Sequence, residues 1–384
     1  MNRKHFKLTL LIIVLLAAAG IGPSKEPKQV SLDGSYSSWD KYPLPANETE
    51  PYISQKEPII FKKLQIEVRK NPQAVYLLEL DLKNPDLKVF PALAQGRIFG
   101  FEILSETGKR YNATAIVNAG FNYPYGQPSG LVIQNGKVLS GSMGYGRILL
   151  IKNGEARFHD SDFKIWIDAD GKKFPVDRVN PYPEVPGILV FTPEFGPTNR
   201  IDKNHSFCIV ENNRVVSVGI ADSETLIPKD GFLIADLRTD KSPLTDFQAG
   251  QEISLSFSEE ADQGYQCSGA LVKNGVNVAQ NKDPWAGNLA IPTPRTAVGL
   301  KDNNTLVLLV VDGRQPGYSI GVTGQELADI LISVGVTEAA ILDGGASSEM
   351  IYRGEIVNKP STGKERLLAS GFVIYYPDLL LRGK

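Results

Sequence analysis

Two aspartates in the C-terminal third of the chain each follow an apolar run and precede glycine. Asp312-Gly313 follows Leu306 to Val311, and Asp343-Gly344-Gly345 follows Ala339 to Leu342. Carboxyl groups brought together on one rim can cleave a glycosidic bond: one protonates the leaving oxygen, the other activates water or attacks carbon. Glycines beside a strand-end Asp remove Cβ atoms, so a ligand can approach the backbone and its N–H groups. Ser347 and Ser348 add hydroxyls able to bind a sugar or phosphate oxygen. Arg295 opens the run Arg295-Thr296-Ala297-Val298-Gly299 and offers a guanidinium that clamps phosphate bidentately or keeps a carboxylate ionised. Each motif also has a plainer reading, as a turn-closing Asp-Gly, a glycine-rich connector with capping serines, or a solvated arginine.

These residues need elements to position them. The β-branched run to Val311 reads as a strand buried on both faces, and so does Ala339 to Leu342. Between them Thr323 is an N-cap, a helix spans about Gln325 to Val334 with Leu327, Ile330, Leu331 and Val334 on one stripe, and Gly335 closes it. Strand, helix, strand at this spacing predicts a βαβ unit with parallel strands, placing Asp312 and Asp343 on one edge of a sheet. If those strands are neighbours, the two carboxylates stand within several ångströms of each other. Arg295 lies at the far end of a hairpin that turns at Lys301-Asp302-Asn303-Asn304, so it reaches the same rim.

Upstream, short β-prone runs at Ile59–Phe61, Leu64–Val68, Ala74–Leu80 and Leu87–Phe90 alternate with Asn-Pro turns at Asn71-Pro72 and Asn84-Pro85. Asn135-Gly136, Asn153-Gly154 and Asn212-Asn213 mark three hairpins. The expected fold is α+β: a strand-rich mixed sheet domain with antiparallel hairpins and a C-terminal βαβ unit. The expected boundaries are an export segment over 1–22, an arm over 23–58 rich in Pro, Ser, Glu and Lys, a β-rich start of the body over 59–110, and a catalytic part over 111–384.

A net charge of −2 gives no electrostatic case for a nucleic-acid partner. Arg3, Lys4, His5 and Lys7 precede the apolar run Leu8 to Ala19, the pattern of an export signal, which places the body in a secreted, periplasmic or cell-envelope setting. Contact with membrane would arise only through an uncleaved signal anchor. Cys208 and Cys267 can pair or remain as buried thiols. The histidines His5, His159 and His205 are scattered, so no zinc site is expected and no cofactor is required; Ca²⁺ or Mg²⁺ on carboxylates is the metal alternative. The same scatter argues against a serine hydrolase built on Ser347 or Ser348.

Taken in order, Asn118-Ala119-Gly120-Phe121, Pro294 through Gly299, Asp312-Gly313, Ile341 through Ser348, and Asn358 through Ser361 with Glu365-Arg366 resemble the phosphodiester glycosidase family. That family includes N-acetylglucosamine-1-phosphodiester α-N-acetylglucosaminidase, and the resemblance spans roughly residues 60 to 376. It implies hydrolysis of a sugar phosphodiester or related glycoside, with carbohydrate or sugar phosphate as the partner molecule. By the same resemblance Asp343, Asp312 and Arg295 are catalytic. Asn118, Gly120, Phe121, Thr296, Gly344, Gly345, Ser347 and Ser348 bind substrate, and Glu365 and Arg366 return to the site, buttress it, or form a structural ion pair. Two departures, Ala346 for a third glycine and Asn122 for an aromatic, leave the sugar open, with cell-wall or exopolysaccharide glycosides expected. The alternative is a non-catalytic glycan-binding envelope protein using the same rim.

Overall fold

The computed structural model describes residues 57–377 apart from 161, 183–184 and 239–240, together with two short paired strands, Leu8–Leu11 and Gln29–Leu32. The remainder of the export segment and of the arm lies outside the described residues. Two sheets build the site. The first has seven strands: β1 (Ile59–Val68), β2 (Asn71–Asp81), β5 (Ala270–Lys273), β6 (Val276–Asn277), β7 (Arg295–Leu300), β8 (Thr305–Val311) and β9 (Glu338–Ile341). Their order is β6-β5-β9-β7-β8-β2-β1, and every neighbouring pair is antiparallel. The second has five: β3 (Lys88–Leu93), β4 (Ala115–Asn118), β10 (Met350–Tyr352), β11 (Glu355–Ile356) and β12 (Ser370–Tyr375), in the order β11-β10-β4-β12-β3.

Side-chain alternation explains the layering. Along β8, Val307, Leu309 and Val311 face one core, which is closed by α2 (Gly324–Ser333) through Leu327, Ala328 and Leu331. Leu306, Leu308 and Val310 face the other way, into the central core shared with the second sheet through Val117, Phe372 and Ile374. Both faces of the strand are therefore buried, as its unbroken apolar run requires. The short helix α1 (Leu104–Arg110) covers the outer face of the second sheet through Leu104.

The helix expectation is met closely: Thr323 accepts from the Glu326 N–H, Glu326 returns a carboxylate to the Thr323 N–H, and Gly335 takes the left-handed backbone at φ 87°. The βαβ unit is split, however. β8 and β9 run in the same direction, but β7 lies between them and pairs with both. Asp312 and Asp343 are thus on one edge without sitting on adjacent strands. The first hairpin also turns elsewhere than expected. Arg69 and Lys70 carry it with φ of 53° and 61°, leaving Asn71 and Pro72 inside β2. Pro72 is tolerated because β2 meets β8 only from Val75 onward, so no ladder donor is lost.

The hairpins at Asn135-Gly136, Asn153-Gly154 and Asn212-Asn213 form with those residues at positive φ. They belong to two further five-stranded sheets, the first two hairpins sharing one, packed around a third core containing Cys208. Cys267 lies in the central core, and both cysteines are free and buried, their thiols pushed up to about 12 by burial. His159 and His205 stand at the ends of strand pairs, at the end of Glu155–His159 and the start of His205–Glu211. Among the described residues no group of three or more His, Cys, Asp or Glu could hold a metal ion.

Candidate active site

One edge of the seven-stranded sheet gathers the chemistry. β7 begins at Arg295, β8 ends before Asp312, and β9 ends before Leu342-Asp343. The edge is tied to the second sheet by the Asp343 N–H, which donates to the Ala119 carbonyl at 3.1 Å, while Gly345 donates to Pro294 at 2.8 Å within the first. Gly120 belongs there for steric reasons. A Cβ on it would stand 2.7 Å from the Tyr265 ring, whose hydroxyl accepts the Gly120 N–H at 2.8 Å. Gly345 takes φ 62°, and a Cβ there would stand 3.1 Å from an Arg314 guanidinium nitrogen.

Asp343 is half-buried at the mouth of this edge. Burial raises its carboxyl above the usual range, while a hydrogen bond from Ser347, the charge of Arg366 and the Gly344 N–H oppose the shift. Ser347 is itself held, accepting from the Arg366 guanidinium at 3.0 Å. Asp343 is the rim carboxylate left accessible to a ligand, beside half-exposed Gly344, Gly345 and Ala346.

Asp312 does not have the exposure expected of it. It is 1% exposed, and both carboxylate oxygens are taken: Asn358 donates at 2.9 Å, the Lys359 N–H at 2.9 Å and the Tyr318 hydroxyl at 3.1 Å. Burial raises its carboxyl despite these donors, and no oxygen remains for substrate. Asn118, expected to bind sugar, is equally committed. Its amide donates to the Asp343 carbonyl at 2.7 Å, while its oxygen accepts from Thr296 at 2.9 Å and from the Glu349 N–H at 3.0 Å. Thr296 and Ser348 are buried within the same network, 3.1 Å apart. Asn118, Thr296, Ser348 and Asp312 therefore build the site from below, and Gly120 is buried with them.

Arg295 is 4% exposed yet faces no carboxylate. Its Nε donates to Val322 at 3.1 Å, and one terminal nitrogen donates to Ile291 at 2.9 Å and Asn288 at 3.4 Å. The other terminal nitrogen, Nη1, has no acceptor among the described residues. Burial and the neighbouring charge of Arg314 pull its pKa down to about 10, with Asp283 opposing, so it stays cationic at neutral pH. Arg314 is exposed, and its guanidinium meets no acceptor among the described residues. Two like charges held together without a counter-ion between them, a third at Arg366, and one carboxylate make an anion-binding mouth.

Sequence reasoning missed Arg314 and Glu349. The signal for Arg314 was its place directly after Asp312-Gly313, where a strand-end turn returns the side chain over the glycines of the other strand. Half-buried Phe121, expected to contact substrate, packs against Trp285 at 5.8 Å, and Trp285 against Tyr145 at 5.8 Å, forming an aromatic wall on the loop that also cradles Arg295. A depression of about 1340 Å³ lies at the opposite edge of the sheet around Lys301 and Asn304. Its Arg147 is spent on Asp160 and Glu338, so the groove is apart from this chemistry.

Fold and edge together define a strand-rich α+β domain whose rim combines one accessible carboxylate with several guanidiniums. Residues 204–375 match the model of the phosphodiester glycosidase family, the family whose motifs the sequence resembles. The SPbeta prophage protein YomE of Bacillus subtilis is 36% identical over 108 residues, covering 28% of this chain but only 16% of YomE. A "hypothetical protein" from Synechocystis has a similar fold, with TM-score 0.71 at 20% identity over 84% of this chain and 62% of that one. A protein of Burkholderia pseudomallei described as exported superposes with TM-score 0.61 at 21% identity, covering 80% of this chain and 74% of its own.

Proposed function

We propose that the chain is an exported glycosidase that hydrolyses the bond between a sugar and a phosphodiester of cell-wall or exopolysaccharide origin, with an α-N-acetylglucosaminyl phosphodiester as the first substrate to test. The observation that carries this is the buried Arg295, which makes no ion pair among the described residues and shares the edge with Arg314 and Asp343. An ordinary glycoside leaves as an alkoxide and needs a protonating carboxylic acid at the rim. A phosphate leaves as an anion and needs positive charge instead. With Asp312 withdrawn beneath the rim, this site has one carboxylate and a set of cations, which fits the second case.

Asp343 then acts on the anomeric carbon, directly or through water, while Arg295 and Arg314 hold the phosphate. Asn118, Thr296, Ser348 and Asp312 position these groups, and Phe121 with Trp285 offers an aromatic face to the sugar. Metal is not needed in this reading, because guanidiniums supply the charge, and a chelator is expected to leave turnover unchanged. Export accords with the basic and apolar N-terminus and with the description of the Burkholderia protein.

The test compares hydrolysis of a sugar phosphodiester with that of an uncharged aryl glycoside of the same sugar. Preference for the phosphodiester, lost in Arg314→Ala, supports the reading; equal turnover of both, or glycan binding without turnover of either, sinks it.

A further inference from the structure

Glu349 presents an anomaly next to this site. It is 1% exposed, and neither carboxylate oxygen makes a hydrogen bond of normal geometry among the described residues, although the Arg366 backbone N–H stands close by. An ionised carboxylate in that state would be heavily destabilised. The side chain within hydrogen-bonding reach is another carboxylate, Glu365. Glu365 is fixed from its other side: the Ser105 N–H donates to it at 2.8 Å and the Ser105 hydroxyl at 2.6 Å, at the start of α1. Two acceptors face each other, and one proton resolves the contact.

The pair also has a strategic place. Glu365 belongs to the segment from Asn358 to Arg366 that closes over the site. Asp312 fixes its beginning through Asn358 and Lys359, and Arg366 rests on Ser347 beside Asp343 at its end. Asn118 ties the Glu349 backbone to the Asp343 turn.

We propose that Glu349 is a positioning residue for the reaction at Asp343: it carries a proton, donates it to Glu365, and thereby fixes the segment that sets Arg366 against Ser347 and Asp343. The catalytic part of this inference rests on the glycosidase reading above; the shared proton does not. Burial, then the Glu365 carboxylate, raises the Glu349 carboxyl to about 9, against the Arg366 backbone N–H, whereas Glu365 is held low. The charged group acting on the pair is Lys109 of α1, itself paired to Glu106 at 2.7 Å; Arg366 contributes its backbone N–H, and β4 contributes no titratable side chain. Because the folded value lies above the unfolded one, the stabilisation is complete below the ordinary value of 4.5 and is lost as pH rises toward about 9.

The experiment uses the full chain as wild type, Glu349→Gln and Glu349→Ala. The amide of the Gln variant donates to Glu365 at every pH. Between about pH 5 and pH 9 the wild-type Tm is expected to fall by several degrees relative to Glu349→Gln; parallel curves would overturn the shared proton. For turnover of the α-N-acetylglucosaminyl phosphodiester, Glu349→Ala is expected to lower kcat/KM about tenfold and shift the acidic limb of its pH profile upward, because a displaced Arg366 no longer lowers the Asp343 carboxyl. Glu349→Gln is expected to restore both. An acidic limb unmoved in Glu349→Ala overturns the positioning role. Divergent Tm curves with no wild-type turnover would overturn the reaction while supporting the proton.

Discussion

Asp343 is set apart from Asp312 by where its oxygens go. The same residue type at the same kind of strand end is spent on three donors in one case and left at the mouth in the other. Asp343→Asn is therefore expected to lower kcat/KM by about 100-fold or more while the Tm stays level, since it removes a carboxyl whose ionised form burial already disfavours. If Asp343 works as a carboxylate, activity rises as pH passes through its carboxyl pKa, and burial places that acidic limb above the ordinary carboxylate range. A profile rising at the value of a free carboxyl would contradict it. The cations divide similarly. Arg314→Ala leaves a solvent-exposed position and is expected to raise KM for a phosphodiester about tenfold without loss of stability, read from steady-state kinetics and thermal melting. Arg295→Lys cannot reproduce the fork on Val322, Ile291 and Asn288, so it is expected to lose both binding and stability.

The elements fix the rim's geometry, and two of them can be probed at a distance from the chemistry. The capping box at Thr323 starts α2, which covers one face of β7, β8 and β9. Thr323→Ala is expected to cost about 1 kcal/mol in denaturant unfolding with kcat unchanged. Gly120→Ala has a different outcome, because a methyl 2.7 Å from the buried Tyr265 ring must push it from the Gly120 N–H. A loss of about 1–3 kcal/mol is expected, with KM rising because Phe121 moves. Elements were the most legible part of the sequence. The Asn-Gly hairpins, the α2 caps and the doubly buried β8 follow from local rules about positive φ, orphan helix amides and side-chain alternation. Where local rules competed, they failed: Asn71-Pro72 looks like a turn, but the adjacent Arg69-Lys70 pair took it.

At the scale of the molecule, the site exists because the seven-stranded sheet puts β7 between β8 and β9 and the second sheet lends it Asn118. Asn118→Ala would break contacts to Asp343, Thr296 and Glu349 at once, and a loss of about 2–3 kcal/mol together with reduced turnover is expected from chemical denaturation and kinetics. The sequence by itself determined that Arg295, Asp312 and Asp343 share an edge, because strand direction follows from a hairpin and a helical crossover. It also carried the motifs of the family that residues 204–375 match. Only the tertiary structure decided which of these groups a ligand can reach. Exposure of an oxygen depends on donors such as Asn358 and Tyr318, brought from distant segments, and no local pattern encodes them. The same holds for Glu349 and Glu365: two ordinary acids in the sequence become a proton-sharing candidate only when folding buries one against the other, where solvent can no longer separate their charges.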